Sequence, residues 1–497
     1  MSDIPKAKPT KPRKLSDVPE WDFETDVAVV GFGGAGACAA LEAADGGADV
    51  IIFELASTKG GTTELSSADI YMGGSGGTPI QKACGFEDSS EDMFNFLMMA
   101  GGPLADEAKV RAYVDGSVDH FNWLLKMGVP YKESFYKERD IYINTDDCLL
   151  YTSNEKVWPF VEKAKPCPRG HNIQVEGDNG GPVLMNALAK QVENRGIRVE
   201  FEARALTLIV DENREVVGLV VRINQQEKHV KVRNGVILCA GGFNMNEEML
   251  KKYAPVLLRA NEAIGNPGDT GTGIMMGMGV GGAAINMNEG FVSIPFYPPS
   301  SFTYGIFINS RGERFINEDS YHGRVGYYAL HQDSKRIYLV ISVEDYGHYE
   351  KFNIMGADIA GTGESVAELE EELEIPEGRL QHTMEFYNKH AANGEDPLFH
   401  KSKEWLKPLE APYAALDCTP GRGAIIPFFT LGGLDTLPTG EVLTPEGEVV
   451  PGLYAAGRNT CGIPRISAGY GSGMSVGDAT FFGRMAGKNA AAVSSRG

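Results

Sequence analysis

A chain of 497 residues with 42% hydrophobic and 9% aromatic content can bury large cores, and its length points to more than one domain. Its net charge of −21 argues against nucleic acid or an anionic membrane as a partner. Seven cysteines form no C-x-x-C pair, nine histidines form no metal-ligand pattern, and no apolar run is long enough to span a membrane, so reduced thiols, no metal and a cytoplasmic location are expected.

Residues 1–22 begin Lys- and Pro-rich, lack the apolar core of a signal peptide, and are expected to be a flexible tail. Thr25 to Val30 reads as a buried strand. Gly31-Phe32-Gly33-Gly34-Ala35-Gly36 then matches G-x-G-x-x-G, Ala37 to Ala44 continues as a small-residue helix, and Asp49 to Phe53 is the next strand. Glu54 ends that strand about 20 residues after the turn, which is the context a dinucleotide-binding unit needs. The turn admits a pyrophosphate at the helix N-terminus. Glu54, with Leu55 beside it, would meet the ribose diol.

The following hydroxyl- and glycine-rich loop, with Gly60, Gly61, Thr62, Ser66, Ser67 and Ala68, would wrap the pyrophosphate and the edge of the ligand. Residues 91–128 carry apolar positions at helical spacing. Residues 130–180 are irregular and suggest no chemistry, and the charged run Lys132 to Asp140 reads as solvated surface. A helix over Val183 to Val192 precedes strands over 198–201, 206–210 and 216–223. A further buried strand from Val236 ends in Ala240-Gly241-Gly242 and returns to the nucleotide sheet. Asp269 and Thr270, before a Met/Gly-rich helix over 274–279, would either touch the cofactor or cap that helix.

The pattern changes from Ala284. A second, α+β domain is expected over 284–413, inserted between two parts of the nucleotide-binding domain, 23–283 and 414–497. Aromatics crowd residues 290–304, as a core or as an apolar ligand pocket at the domain junction. Residues 307–318 read as a hairpin around Arg311-Gly312, and 366–386 as acidic surface helices. Leu453 to Gly457 is a short buried strand followed by Arg458. Gly469-Tyr470-Gly471-Ser472-Gly473 reads as a loop where backbone approaches a flat ligand. A helix runs from Met474, with Ser475 at its start, and its positive end would face the ligand.

The dinucleotide fingerprint, Gly60-Gly61-Thr62, Asp269-Thr270-Gly271, the run Gly312 to Glu318, Thr430-Leu431-Gly432-Gly433 and Gly452 to Gly457 occur in that order. This series resembles the fumarate reductase/succinate dehydrogenase flavoprotein family from about residue 23 onward. The resemblance implies an α/β, Rossmann-like FAD-binding domain interrupted by a capping, catalytic domain. In the family, covalently held FAD hangs on a histidine in the Gly-Gly loop. Lys59 to Asp69 contains none, so non-covalent FAD is expected. Fumarate reductases carry an arginine after the Asn-Glu motif and a histidine before Thr-x-Gly-Gly. Here Asn317-Glu318 leads into Asp319-Ser320-Tyr321-His322, and Phe428-Phe429 precede Thr430, while Arg324 and Arg465 remain as cations.

Tyr321 and the Gly-Tyr-Gly-Ser-Gly loop look like the 3-ketosteroid dehydrogenases of this family, nearest to the Δ4-(5α) type. That resemblance implies catalytic roles for Tyr321, Tyr470 and Ser472 around the ring bearing the ketone. The expected reaction removes an α-proton and passes a β-hydride to flavin N5, creating a 4,5 double bond in a small apolar substrate. Loop N–H groups would polarise the ketone. No second G-x-G-x-x-G is found in comparable context, so an external electron acceptor is expected. The alternatives are a Δ1-dehydrogenase, a fumarate or enoate reductase, and a flavin-binding protein without turnover.

Overall fold

Two apolar strands, Phe23–Val30 and Val50–Phe53, lie parallel in the middle of a nine-stranded sheet. In the computed structural model, which describes residues 6–347 and 355–493, Val27, Val29 and Ile52 are fully buried. Both faces are covered over Val27 to Val30 and Val50–Phe53, which is why those residues read as unbroken apolar runs rather than alternating ones. Arg198–Glu200 extends the sheet in parallel beyond Val50–Phe53.

The strand on the other side, Gln226–Leu238, is 13 residues long and is used twice. Its first half pairs antiparallel with Val216–Ile223. Its last residues pair parallel with Val449–Ala455, Val236 standing opposite Leu453. One strand from mid-chain thus joins the C-terminal segment to the N-terminal sheet, and the fold is α/β as expected.

Helix Gly34–Asp45 crosses helix Met474–Ala492 at close range. A Cβ on Gly483 would stand 2.4 Å from the Ala35 carbonyl oxygen, and one on Gly487 2.1 Å from that of Ala39. Residues four apart share a helix face. Glycines on one face therefore meet alanines on the other with no room for a larger side chain. This contact presses the end of the chain onto the helix that follows the first glycine turn.

A second sheet is antiparallel, in the order Ile306–Asn309, Ile337–Ser342, Tyr413–Asp417, Ile359–Gly363. Helices Val366–Glu372 and Arg379–Ala391 pack on it through Leu369, Leu380 and Met384. The Asn317-Glu318 motif lies beneath this layer. Glu318 is fully buried and takes two hydrogen bonds from Arg314 and one from the Phe307 N–H. Arg314 also bonds Asp396 with both terminal nitrogens, and the Lys401 ammonium stands 3.3 Å from Glu318. Two cations and two carboxylates, all nearly inaccessible, satisfy one another.

Three expectations need correction. The N-terminal tail is not free over residues 6–22: Arg13–Lys14 adds a short strand to Arg204–Val210, the Thr10 N–H bonds the Met275 carbonyl, and Ala7 is buried. Residues 1–5 lie outside the described residues. The hairpin over 307–318 is shorter than expected: one antiparallel bridge joins Ile308 to Arg314 around the Arg311-Gly312 turn, closed by the Asn309 N–H on the Glu313 carbonyl, and the buried strand Ile306–Asn309 pairs along its length with Ile337–Ser342 instead. A boundary at residue 413 would cut strand Tyr413–Asp417, which belongs to the second sheet.

Arg314→Ala would strand two buried carboxylates beside one lysine, and is expected to destabilise the protein by about 3–5 kcal/mol, read from its denaturant midpoint. Burial alone would raise the Asp396 carboxyl, but Arg314 more than offsets this and holds it below the usual range. A carboxyl depressed in the folded state stabilises fully above its unfolded pKa of about 3.9 and loses that contribution as pH falls through its folded value. Stability should therefore fall less steeply with acid in Asp396→Asn than in the parent, measured by urea unfolding at a series of pH values.

Candidate active site

A cleft of about 430 Å³ runs along the C-terminal ends of the first two sheet strands. Gly31 (φ +103°) closes the first turn so tightly that a Cβ would lie 2.5 Å from the Cys239 carbonyl oxygen. Gly36 lets the next helix sit on that turn, with only 2.0 Å between its absent Cβ and the Gly31 oxygen. The Gly34 N–H donates to Thr63 Oγ1 at 3.1 Å and the Gly60 N–H to the Phe32 carbonyl, so the second glycine loop folds over the first. Glu54 is buried. Its Oε2 accepts from the Phe32 N–H at 2.6 Å and its Oε1 from the Ala56 N–H at 2.8 Å. Each oxygen keeps acceptor capacity for a diol.

Seventeen of the residues expected at the cofactor line this cleft: Gly31, Gly33, Gly34, Ala35, Glu54, Leu55, Gly61, Thr62, Ser66, Ser67, Ala240, Gly241, Asp269, Gly457, Arg458, Gly473 and Ser475. Gly36, Gly60, Ala68 and Thr270 stand behind the wall. Asp269 is a brace more than a free ligand group. It pairs with Arg458, accepts from Thr62 Oγ1 at 2.7 Å, and would clash with any Cβ on Gly241. Helix Thr272–Gly279 starts at Gly271 with no side-chain cap, so capping is not what Asp269 or Thr270 does.

The loop Gly469 to Gly473 is packed against protein on its rear side. Cβ atoms at Gly469, Gly471 and Gly473 would meet the Ala100 oxygen at 2.0 Å, Ser153 Cβ at 2.3 Å and the Tyr71 nitrogen at 2.7 Å. These glycines therefore let the loop pack against its neighbours, and of the three only Gly473 also lines the cleft as a ligand-approach position. Thr152 bonds Ser472 in both directions: the Ser472 N–H donates to the Thr152 carbonyl and Thr152 Oγ1 to the Ser472 carbonyl, each at 2.9 Å. The Tyr470 N–H is spent on the Ser467 carbonyl and the Gly471 N–H on Met474 Sδ. Backbone donors of Tyr470, Gly471 and Ser472 are thus engaged within the protein, which narrows the expected oxyanion hole to the Gly473 N–H, beside the cleft.

Tyr321, Tyr470 and Ser472 come together from distant parts of the chain. The two tyrosine rings lie 6.5 Å apart, and Phe291 and Phe429 pack on Tyr470 at 4.6 and 5.6 Å. Tyr470 and Ser472 line the cleft, whereas Tyr321 sits behind them, its hydroxyl turned towards Ser472. Tyr470 Oη donates to Ser475 Oγ at 3.0 Å, and burial pushes the phenol up to about 12. Burial raises Tyr321 further. Ser472 Oγ donates to Asp69 Oδ2 at 2.8 Å, and burial raises that carboxyl too. His322 is sealed against Ser293 Oγ at 2.6 Å, and burial lowers it to about 3, so it is a neutral structural residue.

The arginines left open by the sequence are occupied elsewhere. Arg465 bonds Asp106 and the Gly462 carbonyl, while Arg324 bonds the Ala468 carbonyl and lies over Phe160 and Tyr328. Neither lines the cleft. Residues 130–180 matter more than their irregular sequence indicates. Asn154 Oδ1 accepts the Tyr321 N–H at 2.9 Å, Ser153 Oγ reaches the Tyr470 carbonyl, and Asp178 lines the cleft. Arg139, read as solvated, bonds the Ser320 carbonyl at 2.7 Å and covers the Tyr297 ring. No periodicity marks this segment, because its residues act through single contacts made across the fold. Among the described residues no group of side chains could hold a metal ion, and no helix is long and apolar enough to cross a membrane. All seven cysteines are free.

Residues 26–473 match the family described as FAD binding domain. The chain is 42% identical to the 3-ketosteroid-Δ4-(5α)-dehydrogenase of Rhodococcus jostii RHA1, solved in complex with 4-androstene-3,17-dione. That match covers 97% of this chain and 99% of the other, with a TM-score of 0.90. It is 28% identical to the 3-oxo-5-alpha-steroid 4-dehydrogenase of Comamonas testosteroni, over 89% of this chain and 94% of that one. It is also 28% identical to the fumarate reductase (cytochrome) of Shewanella frigidimarina, over 100% of this chain and 82% of that one.

Gly471→Ala should force the loop off Ser153 and destabilise the protein by about 1–3 kcal/mol. Adding Ser153→Gly removes the opposing Cβ and is expected to restore much of that loss. Thermal unfolding of the single and double variants checks this.

Proposed function

The chain belongs to the FAD binding domain family and is an FAD-dependent oxidoreductase, and from that premise we propose that it dehydrogenates a 3-ketosteroid at the 4,5 position. The residues present fit the cofactor. The glycine turn at Gly31 leaves no room for a side chain, Glu54 keeps acceptor capacity for the ribose, and hydroxyls of the Thr62 to Ser67 loop face the cleft. When bound, FAD supplies a hydride acceptor. The inserted segment, extended to residue 417, would form the substrate side of the cleft.

The observation that carries the substrate reading is the meeting of Tyr470 and Ser472, backed by Tyr321, at an aromatic wall of Phe291 and Phe429. A phenol raised to about 12 stays protonated at neutral pH, so Tyr470 donates a hydrogen bond and does not act as a base. Turned from Ser475 Oγ, its hydroxyl is a donor suited to a ketone oxygen, since the N–H groups of Tyr470, Gly471 and Ser472 bond within the protein. Ser472 then stands where the α-proton leaves, with Tyr321 beside it. Phe429, with Phe291 stacked behind it, offers flat apolar surface to a fused-ring substrate. A dicarboxylate would need cations that are here paired with Asp106 and Asp269. The steroid complex of the Rhodococcus relative supports the same substrate class.

Anaerobic mixing with a 3-keto-5α-steroid is expected to bleach the flavin and yield the 4-ene. Tyr470→Phe should keep FAD and slow bleaching by about 10²–10³-fold. A 1-ene would move the chemistry to the bond on the other side of the ketone. No bleaching by any 3-ketosteroid, with fumarate reoxidising the reduced protein, would overturn the reading. No histidine lines the cleft, so acid precipitation should release the flavin into the supernatant; flavin left in the pellet would show a covalent link.

A further inference from the structure

We propose that Asp69 is the proton-accepting partner of Ser472, acting through it, and that Asp178 at the cleft mouth is the outlet for that proton. The inference rests on the dehydrogenase reading above and identifies the group that makes a neutral serine effective as a base. Ser472 Oγ donates to Asp69 Oδ2 at 2.8 Å, and Asp69 is 9% exposed. The bond is held from two sides. Asp69 immediately precedes strand Ile70–Tyr71, and the Tyr71 N–H donates to the Gly473 carbonyl at 3.1 Å. Ser472 itself is pinned by its paired bonds with Thr152. Segments some four hundred positions apart in the chain are thus locked in the register that joins this carboxyl to this hydroxyl.

The cost of burying a carboxyl without a cation is high, and such groups concentrate where chemistry uses them. No Lys or Arg among the described residues pairs with Asp69; its partners are Ser472 and Ser67. The other titratable groups facing it are Asp178, Tyr131, Tyr321 and Tyr470, all acidic. The two active-site phenols are poor acceptors, being raised by burial, which leaves the carboxyl. Asp178 lines the same cleft and is exposed as a residue, and Ser67 faces both carboxyls. Loss of hydration at its carboxyl and then the like charge of Asp69 push Asp178 up to about 7, suited to exchange with water near neutrality.

The step balances. The α C–H bond breaks, its proton bonds to Ser472 Oγ, and the hydroxyl's own proton passes to Asp69 Oδ2. The electron pair left on carbon becomes an enolate whose oxygen is held by Tyr470. The β C–H bond would then break, its hydrogen leaving with the pair as hydride to bound FAD, which supplies the two-electron acceptor, while the enolate's pair closes the double bond. Asp69 returns to a carboxylate by giving its proton to Asp178 and solvent, and Ser472 ends as the neutral hydroxyl it began as.

Asp69 must be ionised to accept, and burial raises its pKa above the ordinary carboxylate value of about 3.9. Flavin reduction by a 3-keto-5α-steroid should therefore slow as pH falls through that raised value. In FAD-loaded Asp69→Asn it should drop about 10²–10⁴-fold and lose this acidic limb, with FAD still bound. Retained rate and limb, or loss of FAD as the sole effect, would overturn the proposal. Difference infrared spectra of the FAD-loaded protein, recorded without substrate between about pH 4 and 9, give a second reading. A carboxyl band should titrate there, vanish in Asp69→Asn and shift in Ser472→Ala. A band indifferent to Ser472→Ala would sink the pairing whatever the substrate is. A parent protein that no 3-ketosteroid reduces, but whose band responds to Ser472→Ala, would sink only the substrate reading.

Discussion

The mutual hydrogen bonding of Thr152 and Ser472 is the constraint on which the reactive end of the cleft depends. A loop of alternating glycines has little conformational preference of its own, and glycine loses the most backbone freedom on ordering. Here the loss is offset by close packing on Ser153, Tyr71 and Ala100, at distances only glycine permits. The side chains between the glycines are thereby aimed: Tyr470 towards the aromatic wall and Ser472 towards Asp69. A looser loop would leave both hydroxyls free to solvate and neither in place.

Charge is distributed to keep unpaired cations from that end of the cleft. The cations that could attract a dicarboxylate are bound to acids or carbonyls: Arg458 to Asp269, Arg465 to Asp106, Arg324 to the Ala468 carbonyl. Arg314 and Lys401 are locked with Glu318 and Asp396 beneath the second sheet. Buried cation–carboxylate networks add little net stability over apolar packing, but breaking one is costly. Their effect here is to fix the segment around Tyr321 and to remove positive charge from the substrate side. On a scaffold shared with a fumarate reductase relative, such a site would suit the uncharged ketone proposed above.

The same reasoning accounts for what the sequence made legible. The first strand, glycine turn, helix and second strand were readable because each is a local pattern: apolar runs, small residues and an acid at a set spacing. Glu54 and most glycines of the turn line the cleft as that pattern requires. Tyr321, Tyr470 and Ser472 were found through resemblance of short motifs, and they do assemble. Asn154, Thr152, Ser153 and Asp178 were not legible, since each acts by a single contact with a residue far away in sequence, and such contacts leave no periodicity. The N-terminal residues were misread for a related reason: a polar, Pro-rich stretch can still add one short strand to an open sheet edge.

By itself, then, the sequence determined the α/β class, the dinucleotide turn and the residue types at the reactive loop, because these follow from local sterics and from which side chains must be buried. The tertiary structure alone decided which face of the glycine loop meets protein, which arginines are already paired, and which carboxyl stands behind the serine. Those outcomes depend on distances between segments hundreds of residues apart, set by the strand Gln226–Leu238 and by the crossing of the first and last long helices. No local pattern encodes such distances; they appear only once the whole core has closed.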